Sequence, residues 1–134
     1  MRALDVIDWR NLKLVGKWEE LLRTIEGLPG VQSVYPGGSR YIGGHTADSD
    51  VDIVVYGRYV NINLEDHGYT AIELDLYEGE DIRSWRKGKI NLIVHGDRDK
   101  YLQTIAATEL CRVHGVDTKD GRYAVHEEVK GEQA

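Results

Sequence analysis

Phenylalanine is absent from this 134-residue chain, and cysteine occurs once. The first absence leaves Trp9, Trp18, Trp85 and eight tyrosines to supply all the aromatic bulk of a core. The second excludes an internal disulfide framework and fits a reducing compartment, with the cytoplasm as the expected location. The lone Cys111 falls within a helical pattern and reads as a small core or boundary residue rather than a nucleophile. No long apolar run marks the N-terminus, so neither a secretion signal nor a membrane span is expected. Positive charge is also in short supply. A formal net charge of −6 argues against a broad nucleic-acid footprint, while leaving room for a short RNA end or small acceptor at a local basic patch. His67, His95, His114 and His126 lack metal-ligand spacing, so no structural zinc site is suggested. No residue set suggests a serine or cysteine hydrolase.

What is present suits one domain over residues 1–134 with a modest core: 41% of residues are hydrophobic and 30% charged. Residues 1–14 read as a short helical or irregular lead-in. Leu14, Trp18, Leu21, Leu22 and Ile25 recur at the helix period, predicting a helix over Gly16–Glu26 that Gly27, Pro29 and Gly30 stop. Val31–Tyr35 reads as a strand, Ser39–Gly44 as a short helix and Val51–Tyr56 as a buried strand. Gly57–Gly68 reads as a loop with a helical turn near Asn63–His67. Thr70–Tyr77 alternates like a strand with one wet face, and Ile82–Arg86 with Lys89–His95 forms a hairpin turning at Lys87-Gly88. Asp97 is a plausible N-cap for a helix with Leu102, Ile105, Ala106, Leu110 and Val113 as its apolar stripe, ended by Gly115. A weaker helix over Thr118–Lys130, centred on Tyr123, Val125 and Val129, ends at Gly131, after which the chain is expected to be loose. The interleaving predicts an α/β (α+β) sandwich with one mixed sheet of about four to five strands flanked by helices.

The chain is organised around Gly37 to Val55. Side chains alternate along a strand, so Asp50 and Asp52 point the same way and Val51 points opposite. Two carboxylates so placed repel unless a cation sits between them, and magnesium takes one or two carboxylates together with substrate phosphate oxygens. Gly37 and Gly38 let backbone N–H groups approach an anion, the turn into a helix start adds a favourable dipole, and Ser39 offers a hydroxyl. Arg40 follows directly and could touch a triphosphate or simply be solvated. His45, Thr46, Asp48 and Ser49 lie on the approach to the acids. Arg83, Arg86, Lys87 and Lys89 form the densest positive charge in the chain, and Arg86 and Lys87 are candidate phosphate ligands. Trp85, among them, reads as a core residue.

Gly38-Ser39, ten intervening residues and then Asp50-Val-Asp52 flanked by apolar residues resembles the signature of the DNA polymerase β-like nucleotidyltransferase superfamily. The short form looks like its minimal, stand-alone members encoded by tailed bacteriophages. The likeness is strongest over Gly37–Tyr56 and extends more weakly through Ser84–Val94. It implies the superfamily's sheet, with Asp50 and Asp52 holding two magnesium ions, or manganese in their place. It further implies Gly37, Gly38, Ser39, Arg40, Ser49, Arg86 and Lys87 around a nucleoside triphosphate. A third carboxylate on a neighbouring strand is usual, and its matching place holds Asn91, which can ligate or orient but cannot accept a proton. Three readings stay open. The enzyme works with two carboxylates, another acid such as Asp75 takes the third role, or the chain only binds nucleotide or a partner. The expected reaction moves a nucleoside monophosphate onto a hydroxyl of an RNA end, a protein or a small molecule, with release of pyrophosphate. No membrane partner is expected, an oligomer is compatible by analogy, and a phage-encoded protein would work in the host cytoplasm. An antitoxin that modifies a partner protein is a further reading that no residue selects.

Overall fold

The computed structural model describes residues 15–72 and 82–132. The expected lead-in, the outer half of the Thr70–Tyr77 strand and the candidate acid Asp75 lie outside these residues. Helix α1 spans Val15–Glu26 and precedes strand β1, Val31–Gly37. A short helix α2, Gly38–Ile42, leads to β2, Val51–Gly57. The next stretch contains α3, Val60–Asn63, a 3-10 turn at Glu65–His67, and β3, Thr70–Ile72. The hairpin β4, Ile82–Lys87, and β5, Ile90–His95, is followed by α4, Arg98–His114, and α5, Lys119–Glu132.

The strands form one five-stranded mixed sheet in the order β1-β2-β5-β4-β3. Among the described residues only β2 and β5 run parallel; the other neighbours are antiparallel. The β-branched runs of β2 and β5 suit this central place, where both sheet faces are covered. Strand alternation then sorts the side chains. Ile53 and Val55 of β2, with Leu92 and Val94 of β5, join Leu22 and Ile25 of α1 in the larger core cluster. Val54 points the other way and packs with Tyr35, Tyr101 and Ile105. Asp52 shares the parity of Val54, and Asn91 the opposite parity to Leu92, so both face the α4 side.

Helix α4 starts where Asp97 accepts a hydrogen bond from the Lys100 amide at 3.0 Å, as a side-chain cap. It ends at Gly115 in the left-handed conformation. Its buried face differs from the expected apolar stripe. Leu102, Leu110 and Val113 are 41%, 42% and 65% exposed, while Tyr101, Thr104, Ile105, Thr108 and Cys111 are buried. The polar atoms of that face find partners, which makes its burial affordable. Tyr101 Oη lies 2.8 Å from Ser33 Oγ, Thr104 Oγ1 lies 2.9 Å from His95 Nε2, and Thr108 donates to the Thr104 carbonyl at 2.8 Å. The Tyr101 ring also stacks on Tyr56 at 5.5 Å between centroids.

A second correction concerns α5, which continues through Gly131 to Glu132. Gly131 does not adopt the positive φ of a left-handed cap, and a helical glycine costs only about 1 kcal/mol. Trp85 and Cys111 are buried, as their core readings expect. Among the described residues no helix is long and apolar enough to cross a membrane.

Candidate active site

The acid pair is set by strand register. Gly37 of β1 pairs with Asp52 of β2, which in turn pairs with Asn91 of β5. Three functional candidates therefore sit side by side at one end of the central strands, where the chain leaves β1 for α2. Gly38 adopts φ +67°, and a Cβ there would fall 2.1 Å from Asp52 Oδ2. Only glycine allows this turn to rest directly on the carboxylate.

Asp50 lies just before β2 and brings its carboxylate to the same place. Asn91 Nδ2 donates to Asp50 Oδ2 at 3.2 Å and to Asp52 Oδ1 at 3.1 Å, so one amide bridges both acids. Arg86 reaches Asp50 Oδ1 at 2.9 Å. Burial pushes the Asp52 carboxyl up, and the Asp50 charge adds to the rise; the Asn91 hydrogen bond and the more distant charges of Arg122 and Arg86 oppose it without cancelling it. The Asn91 Oδ1 atom is buried without a hydrogen-bond partner.

Among the described residues no three acids, histidines or cysteines stand close enough to form a metal cage. The donor set is two carboxylates and an amide. It nevertheless fits a hard divalent cation: two acids converge, and the more buried one carries charge at a penalty.

The pair forms part of the floor of a cleft of about 340 Å³. Gly37, Gly38, Ser39 and Ser49 line it together with Asp50, Asp52 and Asn91. Seven of the residues singled out from the sequence thus come together. Three do not line the cleft. Arg40 donates Nε to the Ser49 carbonyl at 3.0 Å and Nη2 to the Ala47 carbonyl at 3.2 Å, tying down the loop before β2. Lys87 donates to the His67 carbonyl at 3.1 Å and lies over the Tyr69 ring. Arg86 enters the site only through Asp50, its Nε being taken by the Gly88 carbonyl at 2.9 Å. His45 is exposed on the loop.

Helices α4 and α5 also line the cleft, with Thr104 and Thr108 from the former and Lys119, Arg122, Tyr123 and His126 from the latter. Burial, with a contribution from the neighbouring Arg122, pushes the His126 imidazole down to about 4, so it stands neutral. Reading α5 by its apolar residues misses this set. The signal was present, because positions 119, 122, 123 and 126 fall at i, i+3, i+4 and i+7 on one helix face.

A second polar cluster fixes α2 from behind. Tyr35 and Tyr41 both donate to Glu109 Oε1, and Arg112 donates to Glu109 Oε2 at 2.8 Å while lying over the Tyr41 ring. The helix carrying Ser39 is thereby attached to α4.

The family model for the nucleotidyltransferase domain matches residues 17–94, a span holding the glycine turn, both acids and Asn91. The chain belongs to this nucleotidyltransferase family. The matched span ends before α4, so the part of the cleft lined by α4 and α5 lies outside it. No curated protein matches the chain by sequence. Among solved structures, the conserved protein GrpB from Enterococcus faecalis superposes with a TM-score of 0.61 at 16% identity, covering 88% of this chain and 90% of that one. That likeness concerns the fold. Terminal uridylyl transferase 4 from Trypanosoma brucei, solved with bound UTP and UpU, superposes with a TM-score of 0.44 at 15% identity over 85% of this chain and 43% of that one.

Proposed function

We propose that the chain is a magnesium-dependent nucleotidyltransferase that moves a nucleoside monophosphate from a nucleoside triphosphate to a hydroxyl acceptor. Family membership supports nucleotidyl transfer in general. The observation that carries the rest is the meeting of Asp50, Asp52 and Asn91 beneath the Gly38-Ser39 turn in one cleft. Asp50 and Asp52 would hold the ions, with Asn91 beside them, and the bound ions would supply charge neutralisation at the reacting phosphate. Gly38 would let the turn approach the phosphates, and the Ser39 hydroxyl would donate to them.

In the reaction the acceptor oxygen bonds to the α-phosphorus while the bond from that phosphorus to the bridging α,β-oxygen breaks, releasing pyrophosphate. The acceptor proton must leave. Asn91 cannot take it, so the carboxylates of Asp50 and Asp52 are the bases at hand among the described residues of the floor. Most of the acceleration would come from positioning and charge compensation.

The deciding experiment incubates the protein with each α-labelled nucleoside triphosphate, magnesium, and RNA or protein acceptors. Labelling by the wild type, lost in Asp50→Ala/Asp52→Ala with the circular dichroism spectrum retained, is the expected result. Equal labelling by both proteins would sink the reading. The Asn91 amide bridging both acids favours one alternative, a module that binds nucleotide without turnover. Calorimetry detecting magnesium-nucleotide binding, together with no pyrophosphate release under any acceptor, would select it.

A further inference from the structure

We propose that α5 is the phosphate-binding wall of the cleft, with Arg122 and Lys119 receiving the charged tail of the nucleoside triphosphate. The inference rests on the nucleotidyl-transfer reading for the identity of the ligand, and on the geometry of the cleft for the residues.

A triphosphate entering beside two carboxylates needs cations of its own in a chain with a net charge of −6. The cations nearest the motif in sequence do not line the cleft. Arg40 holds the carbonyls of the loop before β2, Lys89 donates to the Ala47 carbonyl at 3.0 Å, and Lys87 donates to the His67 carbonyl. Arg86 is paired with Asp50. Among the described residues, the basic side chains that line the cleft are Lys119 and Arg122. They stand one turn apart on the same face of α5 and line the cleft that Gly38 and Ser39 also line.

Their partners leave capacity for an anion. Arg122 gives Nη1 to the Asp117 carbonyl at 3.0 Å, which uses one of five guanidinium N–H groups and anchors the side chain at the start of α5. Lys119 Nζ lies 5.6 Å from the centre of the Tyr123 ring, a contact that steers an ammonium without using up its three donors. Arg122 lines the same cleft as Asp50, Asp52 and the Gly38-Ser39 turn, where the reacting phosphate would lie. A guanidinium suits this task because its fork can hold two phosphate oxygens at once. The family match ends at residue 94, so the wall is a feature of this chain beyond the matched span.

Inorganic tripolyphosphate is the clean probe, since it carries the tail without base or sugar. Calorimetric titrations of the full chain, with magnesium and again with EDTA, would compare the wild type with Arg122→Met, Lys119→Met, Arg122→Lys and Arg98→Met. Arg122→Met is expected to weaken binding about tenfold or more and Lys119→Met by roughly threefold to tenfold, with Arg122→Lys recovering part of the loss. The exposed Arg98→Met controls for net charge and should stay within about twofold. Circular dichroism melts identify any variant that fails to fold; Lys119→Met keeps the question answerable, because it removes no backbone hydrogen bond. Wild-type affinity in Lys119→Met/Arg122→Met would overturn the wall, and labelled transfer that still depended on Asp52 in that double variant would leave the enzymatic reading standing. Conversely, a tripolyphosphate site that needs Arg122 in a protein without any transfer activity would keep the wall and remove the enzyme.

Discussion

Glu109 and Asp52 are both partly buried acids on the α4 side of the sheet, yet their surroundings push their acidities in opposite directions. Burial alone would raise Glu109, but bonds from Arg112, Tyr35 and Tyr41 outweigh it and hold the carboxyl below its usual range. Asp52 has burial against it, a neighbouring carboxylate, and among the described residues one neutral donor, Asn91; it ends above its usual range. The same contrast appears in the partners. Burial and the bond to Glu109 push Tyr41 up to about 12, so its phenol is a settled donor. Around Asp52, by contrast, the one neutral donor among the described residues, the Asn91 amide, is shared with Asp50. A carboxylate whose donors are complete holds structure together, whereas one left short of donors marks where an outside charge belongs.

The widest separation between the two should come from removing each acid. Glu109→Leu strips the acceptor from two phenols and a guanidinium, one of the phenols belonging to the almost fully buried Tyr35. We expect a loss of about 3 kcal/mol in urea unfolding. Asp52→Asn removes a penalised charge and should raise stability by up to about 1 kcal/mol in EDTA while abolishing transfer. Losses of similar size in both variants would erase the distinction between a structural acid and a functional one.

The site turn offers the next largest effect. In Gly38→Ala the new methyl would meet the Asp52 carboxylate at a residue with φ +67°. A cost of about 2 kcal/mol is expected in thermal melts, together with reduced nucleotide binding. Gly131→Ala is the matched control: the Cβ would enter open space at the end of α5, and a small gain of a few tenths of a kcal/mol is expected. A Gly38→Ala protein as stable as wild type would mean that the turn does not rest on Asp52.

How far these features could be read from sequence depends on whether they are local. The place of Asp52 was legible because alternation along Val51–Gly57 is a property of the strand itself, while Asp50, just before the strand, joins it through the shared Asn91 amide. The β4–β5 hairpin was legible for the same reason, with Gly88 at φ +60° in the turn. The buried face of α4 was not, because Tyr101, Thr104 and Thr108 become core residues only through Ser33, His95 and backbone carbonyls that receive their hydroxyls. Closeness in sequence also pointed Arg40 and Lys87 toward the phosphate, whereas the fold turns both onto carbonyls. The α5 stripe and the Glu109 cluster are joined to the motif across the whole chain, and no local pattern records that meeting.

Asn91 tests the contrast from the side of the short-handed acid. Asn91→Asp replaces the bridging donor with a third charge, leaving Asp50 and Asp52 without that hydrogen bond. In EDTA the variant should lose about 1–2 kcal/mol, and magnesium should restore it by binding the folded state. The midpoint of thermal unfolding against magnesium concentration measures both. A variant indifferent to magnesium would show that the three positions do not share an ion.

The pH dependence of stability is the smallest effect and carries opposite signs for the two acids. Glu109 has a lowered folded pKa, so the folded state binds fewer protons than the unfolded one below the usual carboxylate range. Its contribution is present above the unfolded value and lost as pH falls through the folded one. Asp52 has a raised folded pKa, so the folded state holds the extra proton. Its penalty is absent in acid and grows as pH rises from the unfolded value to the folded one. In metal-free buffer Glu109→Gln should therefore flatten the acid limb of the stability profile, and Asp52→Asn should lift the neutral side relative to the acid side. Unfolding curves at half-unit steps between pH 3 and 7 resolve the two signs. Parallel profiles for wild type and Asp52→Asn would mean that the Asn91 hydrogen bond already compensates Asp52, and the case for an outside charge at that carboxylate would lose its electrostatic ground.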